Sequence, residues 1–347
     1  MSIPSSRLLV QWHITDRCPR RCSHCYIPDH SLEPPLENLL AILDQWVALD
    51  ARAREASPDA WKLDFNLTGG ELLSHPHWRE FLDALRSRLP RSRVALLLSG
   101  ELLTDAIADH LATLNLRYVQ FSLDGSRAVH EAIRGPKAFR TAIEAVRRTS
   151  RRGIPTVASH TAFPGRLGEL APATKAARNA GAESIWTDRV VPGPGDAHWD
   201  AGSTQAYLDE LREVSQELSS RKFKVRTSRA LQFLTCGGRA YRCTAGESLL
   251  SVLPDGTVLP CRRLDDPVGC LPDDDPWEIW TTSRKLRILA ERAAEECHSC
   301  MFATVCQGGA PCLSFAQTGD PTRRDPACCV PEWARSQTTR NRTDVPL

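Results

Sequence analysis

At 347 residues the chain has room for two or three domains, and its 41% apolar and 25% charged residues exclude wholesale disorder. No apolar run approaches the ~18 residues that a membrane helix needs, and the formal charge of +2 gives no general attraction to nucleic acid or to a membrane surface. The opening MSIPSSRLLVQWHI lacks the basic start, long apolar stretch and cleavage site of a signal peptide, so the expected location is the cytoplasm.

Strand-like apolar runs occur at Leu8–Ile14, Leu63–Leu67, Val94–Leu98, Val119–Leu123, Thr156–Thr161 and Ser184–Thr187. Helical periodicity fills the intervals at Leu36–Ala53, Trp78–Leu89, Thr104–Leu114, Val129–Arg152, Leu167–Ala180 and Ser203–Ser220. Strict strand–helix alternation predicts a parallel sheet, either a barrel or an open doubly wound one, with chemistry on the loops at the carboxyl ends of the strands. The pattern breaks near Thr227. Beyond it the sequence predicts a hairpin (Leu249–Leu253, turn Pro254-Asp255-Gly256, Thr257–Leu259) and one helix, Pro276–Ala294, in a segment otherwise rich in Cys, Gly, Pro and Asp. So little periodic apolar sequence predicts a segment that needs metal to fold, and Ser336–Leu347 reads as a polar tail.

The thirteen cysteines fall into two groups, with none between Cys25 and Cys236. In a reducing compartment such clusters read as metal sites rather than disulfides. Cys18, Cys22 and Cys25 follow the first strand directly. Three thiolates without an obvious fourth ligand leave an open coordination position, which suits a substrate or cofactor bound to iron; a zinc knuckle borrowing His24 or a distant residue is the alternative.

The CxxxCxxC motif after the first strand resembles the radical S-adenosylmethionine (SAM) superfamily, in which three cysteines hold a [4Fe–4S] cluster that SAM chelates at its fourth iron. Further resemblances follow at successive strand ends. Thr68-Gly69-Gly70-Glu71 resembles the motif that contacts the methionine end of SAM, with Leu72 where proline is usual. Ser99-Gly100 stands where relatives carry Thr-Asn-Gly. Ser122-Leu-Asp124-Gly125 and Arg134 match residues that bind the SAM carboxylate, and Arg189 precedes a Val190-Val191-Pro192-Gly193 turn. The resemblance implies a partial (β/α)6 TIM-like barrel over 1–226 whose SAM pocket uses His24, Gly69, Gly70, Glu71, Ser99, Ser122, Asp124, Arg134 and Val191.

The C-terminal cysteines resemble the SPASM domain, which holds two auxiliary [4Fe–4S] clusters. The chain has CX12GX4C (Cys243, Gly256, Cys261), then CX2CX5C (Cys297, Cys300, Cys306), Cys312 and Cys328-Cys329. It departs from the family in spacing Cys306 and Cys312 as CX5C instead of CX3C, which looping out of Gln-Gly-Gly-Ala-Pro accommodates. Carried over by position, one auxiliary cluster takes Cys236, Cys243, Cys261 and Cys312, and the other Cys297, Cys300, Cys306 and Cys328, in a domain spanning 227–335. Cys329 is the fallback for the last ligand, and Cys270 reads as an ordinary thiol.

The resemblance implies reductive cleavage of SAM to a 5′-deoxyadenosyl radical, hydrogen abstraction and net oxidation of a substrate. The group's peptide maturases make a ribosomally made peptide the expected substrate. With 17 residues before Cys18, no fused leader-recognition domain is expected, so the peptide docks directly or through a separate leader-binding protein. The implied reductant is a one-electron donor such as flavodoxin or ferredoxin. Alternatives are dehydrogenation of a small alcohol or amine, or of a sulfatase Ser/Cys, and a non-catalytic Fe–S or zinc scaffold. Sulfatase maturases place Asp after the cysteine matching Cys261, where this chain has Arg262-Arg263, read first as a solvated pair and otherwise as one that meets an acidic peptide or a phosphate. Asp64, Asp188 and Arg189 lie near strand ends without an assigned role.

Overall fold

The computed structural model describes residues 3–193, 195–237 and 241–331, apart from the side chain of Cys236. Alternation along the first strand, β1 (Arg7–His13), sets two faces. Leu8, Val10 and Trp12 are buried toward the helices, while Gln11 and His13 point the other way. Six further strands pair in parallel and in chain order: β2 (Lys62–Thr68), β3 (Val94–Leu98), β4 (Tyr118–Ser122), β5 (Thr156–Ala162), β6 (Ser184–Arg189) and β7 (Lys224–Arg226). The helices between them are α1 (Leu36–Ala56), α2 (Trp78–Arg88), α3 (Asp105–Ala112), α4 (Arg127–Arg134), α5 (Ala138–Ser150), α6 (Leu170–Ala180) and α7 (Ala201–Leu218). Trp12 stands edge-on to Phe81 of α2, ring centroids 4.9 Å apart, and Trp46 of α1 meets Phe65 of β2. Each such buried aromatic stabilises the layer by roughly 1.5–3 kcal/mol.

The opposite face is polar and concave. The Tyr118 hydroxyl donates to Asn66 two strands away at 3.4 Å, and Trp186 Nε1 donates to Gln120 Oε1, again two strands away, at 2.8 Å. Neighbouring strands lie ~4.8 Å apart, so side chains two strands apart meet only where the sheet curls. This is the expected partial barrel, left open because β1 and β7 do not pair.

The sequence expectation differs from the structure in three places. The single helix Val129–Arg152 is two, because Gly135 takes φ +91° and Pro136 follows. The helix Pro276–Ala294 is also two, α9 (Pro276–Thr282) and α10 (Arg284–Ala290), after the short α8 (Phe233–Cys236) upstream; Ser283 ends one and caps the other. The seventh strand, Lys-Val-Arg, is too short to show a periodic signal. The hairpin forms at its predicted place as β8 (Leu249–Val252) and β9 (Thr257–Leu259). Gly256 is required in its turn, since a Cβ there would lie 1.9 Å from Leu271 O.

That hairpin joins the main sheet. β8 pairs in parallel with β1, from Leu9 with Leu249 to Trp12 with Val252, and β10 (Gly269–Cys270) adds an edge, making one ten-stranded sheet among the described residues. The last described helices are α11 (Ala303–Cys306) and α12 (Pro311–Thr318). The 336–347 tail lies outside the described residues. No described helix is long and apolar enough to cross a membrane.

Candidate active site

The first cysteine loop leaves β1 and is held by the turn after β2. Gly70 N donates to Thr15 O at 2.7 Å and Glu71 N to Arg17 O at 2.8 Å. A Cβ on Gly69 would lie 2.3 Å from Thr15 O, and one on Gly70 2.3 Å from Asp16 O, so both glycines serve close packing on the strand that feeds Cys18. Ser23 N donates to Ile133 O of α4 at 2.9 Å, and Arg20 reaches Arg134 O and Pro136 O and pairs with Glu101. Cys18, Cys22 and Cys25 are free thiols. Burial, together with Glu71, Cys22 and Cys25, pushes the Cys18 thiol up to about 11.

Around this loop the expected pocket residues form two groups. Glu71 is buried and accepts from Ser99 N at 2.7 Å and from the Ser99 hydroxyl, so serine supplies a hydrogen bond where relatives carry asparagine. Burial raises the Glu71 carboxyl against these bonds. In the second group Arg134 donates through Nε to Asp124 at 2.5 Å, while Nη1 lies 4.0 Å from Cys22 Sγ and Nη2 3.5 Å from His24 Nε2. Burial alone would raise the Asp124 carboxyl, but Arg134 and then His24 outweigh it and hold it below the usual carboxylate range. Burial and Arg134 push His24 down to about 4. Ser122 closes β4 and Val191 follows β6; both are half-buried, and neither side chain bonds to the other pocket residues.

The C-terminal thiols separate into two sets by their mutual effect. Burial raises Cys312 to about 12, Arg263 lowers it, and Cys261 and Cys243 raise it further; Cys243 is raised by burial and Cys261. In the other set Cys306 is pushed to about 12 by burial, Cys328 and Cys297, and Cys297 to about 11 by burial, Cys328 and Cys300. Cys328, not Cys329, is the neighbour that Cys297 and Cys306 share. Cys236 ends α8, and its side chain lies outside the described residues. Cys270 stands apart on β10, its Sγ 3.7 Å from Asp255 O. The long Cys306–Cys312 spacing is taken up by three consecutive left-handed residues, Gln307, Gly308 and Gly309.

Among the described residues no three His, Cys, Asp or Glu side chains close around a single-ion position. The thiols do sit as neighbours, and one basic group makes them a fit for an anionic cluster. Arg292 is 4% exposed, donates only to carbonyls (Leu289 O at 2.8 Å, Cys243 O at 3.4 Å) and pairs with no carboxylate among the described residues. Cys243 of one set and Cys306 of the other flank it. A buried guanidinium needs a counter-charge, and thiolate-ligated clusters would supply it from both sides.

Some contacts had no assigned role in the sequence. Arg189 is buried in an ion pair with Asp325, also donates to Thr204 at 3.2 Å, and so ties β6 to the segment before Cys328. Asp325 in turn accepts from Ala310 N and Ala327 N. A lone acid three residues before Cys328 is the available signal. Asp188 pairs with Arg263, and Arg262 donates to Gln11 Oε1 at 2.8 Å, so the arginine pair is not the solvated pair expected. Asp64 pairs with Arg93, whose backbone lies at the amino end of β3 and away from the cysteine loop.

The chain matches the radical SAM superfamily over residues 12–170 and the SPASM iron-sulfur cluster-binding domain over residues 243–301. It is 26% identical over 341 residues to the PqqA peptide cyclase of Streptomyces rochei, covering 91% of this chain and 87% of that protein. It is 25% identical to the antilisterial bacteriocin subtilosin biosynthesis protein AlbA of Bacillus subtilis, covering 95% and 72%. In fold it resembles the crystal structure of Streptococcus suis SuiB, with a TM-score of 0.71 at 13% identity over 93% of this chain and 77% of that one.

Proposed function

Since the chain belongs to the radical SAM superfamily and carries a C-terminal SPASM domain, we propose that it is an oxidoreductase that modifies a ribosomally made peptide, by crosslinking or a related oxidation. Three [4Fe–4S] clusters and SAM, when bound, supply one-electron cleavage of SAM, hydrogen-atom abstraction and acceptors for the electron that the substrate gives up. The residues 1–226 form the SAM domain and 227–335 the auxiliary domain.

Cys18, Cys22 and Cys25 hold the first cluster and leave one position for SAM. Gly69 and Gly70 fix the loop that carries them, while Glu71 with Ser99, Ser122 and Val191 line the SAM site. Arg134, held by Asp124 and beside His24, would pair with the carboxylate of SAM. Cys236, Cys243, Cys261 and Cys312 take one auxiliary cluster, and Cys297, Cys300, Cys306 and Cys328 the other. The observation that carries this reading is the separation of the described thiols into three neighbour groups, with a buried arginine between the two C-terminal ones that pairs with no carboxylate among the described residues. The peptide substrate is supported by relatives named for peptide cyclisation and bacteriocin biosynthesis that align along nearly the whole chain. The setting is the cytoplasm, with a flavodoxin or ferredoxin as electron donor.

The test is anaerobic reconstitution followed by iron counting and an assay for 5′-deoxyadenosine with SAM and a strong reductant. The expected result is about twelve irons per chain and 5′-deoxyadenosine. Bound zinc, or iron without SAM cleavage, would overturn the reading.

A further inference from the structure

The inner face of β1 carries buried polar atoms without a hydrogen-bond partner among the described residues. His13 is fully buried and neither ring nitrogen has such a partner; Gln11 is 4% exposed and its Nε2 has none. Buried polar atoms are nearly always satisfied, so orphans on consecutive inward positions of one strand point to a missing ligand. Arg262 overhangs them. Its backbone N is pinned to Ser251 Oγ at 2.9 Å, its Nη1 donates to Gln11 Oε1 at 2.8 Å, and it is the charged group that His13 feels. Arg263 is neutralised by Asp188, but Arg262 pairs with no carboxylate among the described residues.

The location is between the thiol groups. The Tyr26 ring stands 5.9 Å from that of His13; Tyr26 directly follows Cys25 and Arg262 directly follows Cys261, so the strand face lies between a residue of each thiol segment. Because Gln11 Oε1 accepts from Arg262, its amide must turn the NH2 group toward the unbonded side. The free groups are then the remaining Arg262 N–H donors, the Gln11 NH2 and one imidazole N–H, a donor set that suits a carboxylate.

Resting on the peptide-maturase reading above, we propose that Gln11, His13 and Arg262 form a carboxylate-binding subsite for the peptide substrate. It takes an acidic side chain or the peptide's C-terminal carboxylate. A neutral isostere leaves these buried donors partly unpaired and is rejected.

The test uses the reconstituted full chain on an array of pentapeptides with every amino acid at the central position, made with amidated and with free C-termini. Wild type is expected to favour Asp and Glu over Asn and Gln by about tenfold on amidated peptides. A preference only for free C-termini assigns the subsite to the terminal carboxylate instead. R262Q should erase the preference, R262K keep most of it and R262E move it to Lys and Arg, a gain that misfolding cannot imitate. SAM affinity by equilibrium dialysis should be unchanged in R262Q.

No carboxylate preference in the wild type, or one that survives R262Q, overturns the subsite. Loss of SAM affinity with peptide binding intact also overturns it, by assigning these donors to SAM. SAM cleavage measured alongside separates the two readings: cleavage without preference sinks the subsite alone, and preference without cleavage sinks the enzyme reading alone.

Discussion

Through residue 226 the three thiols ride on a loop that the rest of the region holds from outside, whereas after residue 241 the thiols form part of the interior themselves. The first loop is fixed by backbone bonds from Gly70, Glu71 and Ser23 and by Arg20, and behind it lies an aromatic layer of Trp12, Trp46, Phe65 and Phe81. In the second region Cys297, Cys306 and Cys312 are buried, α11 has four residues, and the buried Arg292 pairs with no acid among the described residues. Ordinary packing thus organises the first thiol site, while the second is balanced only when its counter-charge is present.

The largest effects test that contrast. Cys22→Ala should remove about four irons and reduce 5′-deoxyadenosine to background, yet leave the protease pattern unchanged. Cys306→Ala should also remove about four irons and, in addition, open 241–331 to limited proteolysis. Equal protease resistance in the two variants would erase the distinction. The next effect concerns the clasp between the regions. Asp325→Ala leaves Arg189 charged and buried without its partner, so anaerobic urea unfolding should show a loss of about 3–5 kcal/mol. The double variant Arg189→Met/Asp325→Leu should recover most of it, since no orphan charge remains.

The same contrast governs how much the sequence discloses. Alternation at Leu8, Val10 and Trp12 and the helical stripe of α1 mark the barrel because packing on two faces leaves a period. The cysteine spacings identify two metal-binding segments because ligands must recur at short intervals. What escapes is long-range: β8 docking on β1, Arg189 reaching Asp325 over 136 positions, and Arg262 reaching Gln11 over 251. Such pairs leave no local pattern, and a lone arginine reads as a solvated one. The break at Gly135-Pro136 is a local signal, but the helical periodicity on either side of it masks it.

The smallest effect expected is a pH response confined to the barrel. His160 on β5 is buried on the helix side, with Nδ1 2.9 Å from Thr187 Oγ1, and burial lowers it from the usual 6.5 to about 4. A histidine held neutral in the folded state contributes stability that is complete above about pH 6.5 and declines as pH falls toward 4, because the unfolded chain binds the proton first. Below about 4 both states are protonated and the loss levels off, at an upper bound of roughly 3 kcal/mol. His160→Gln keeps a hydrogen-bonding group but cannot titrate, so its unfolding midpoint should fall less steeply between pH 6.5 and 4 than that of the wild type. Parallel slopes would mean that another buried histidine, with His13 at about 3 the first to test, carries the acid response. Among the described residues the C-terminal region has a single histidine, His298, near the protein surface, so its protease sensitivity should follow iron content and not this titration.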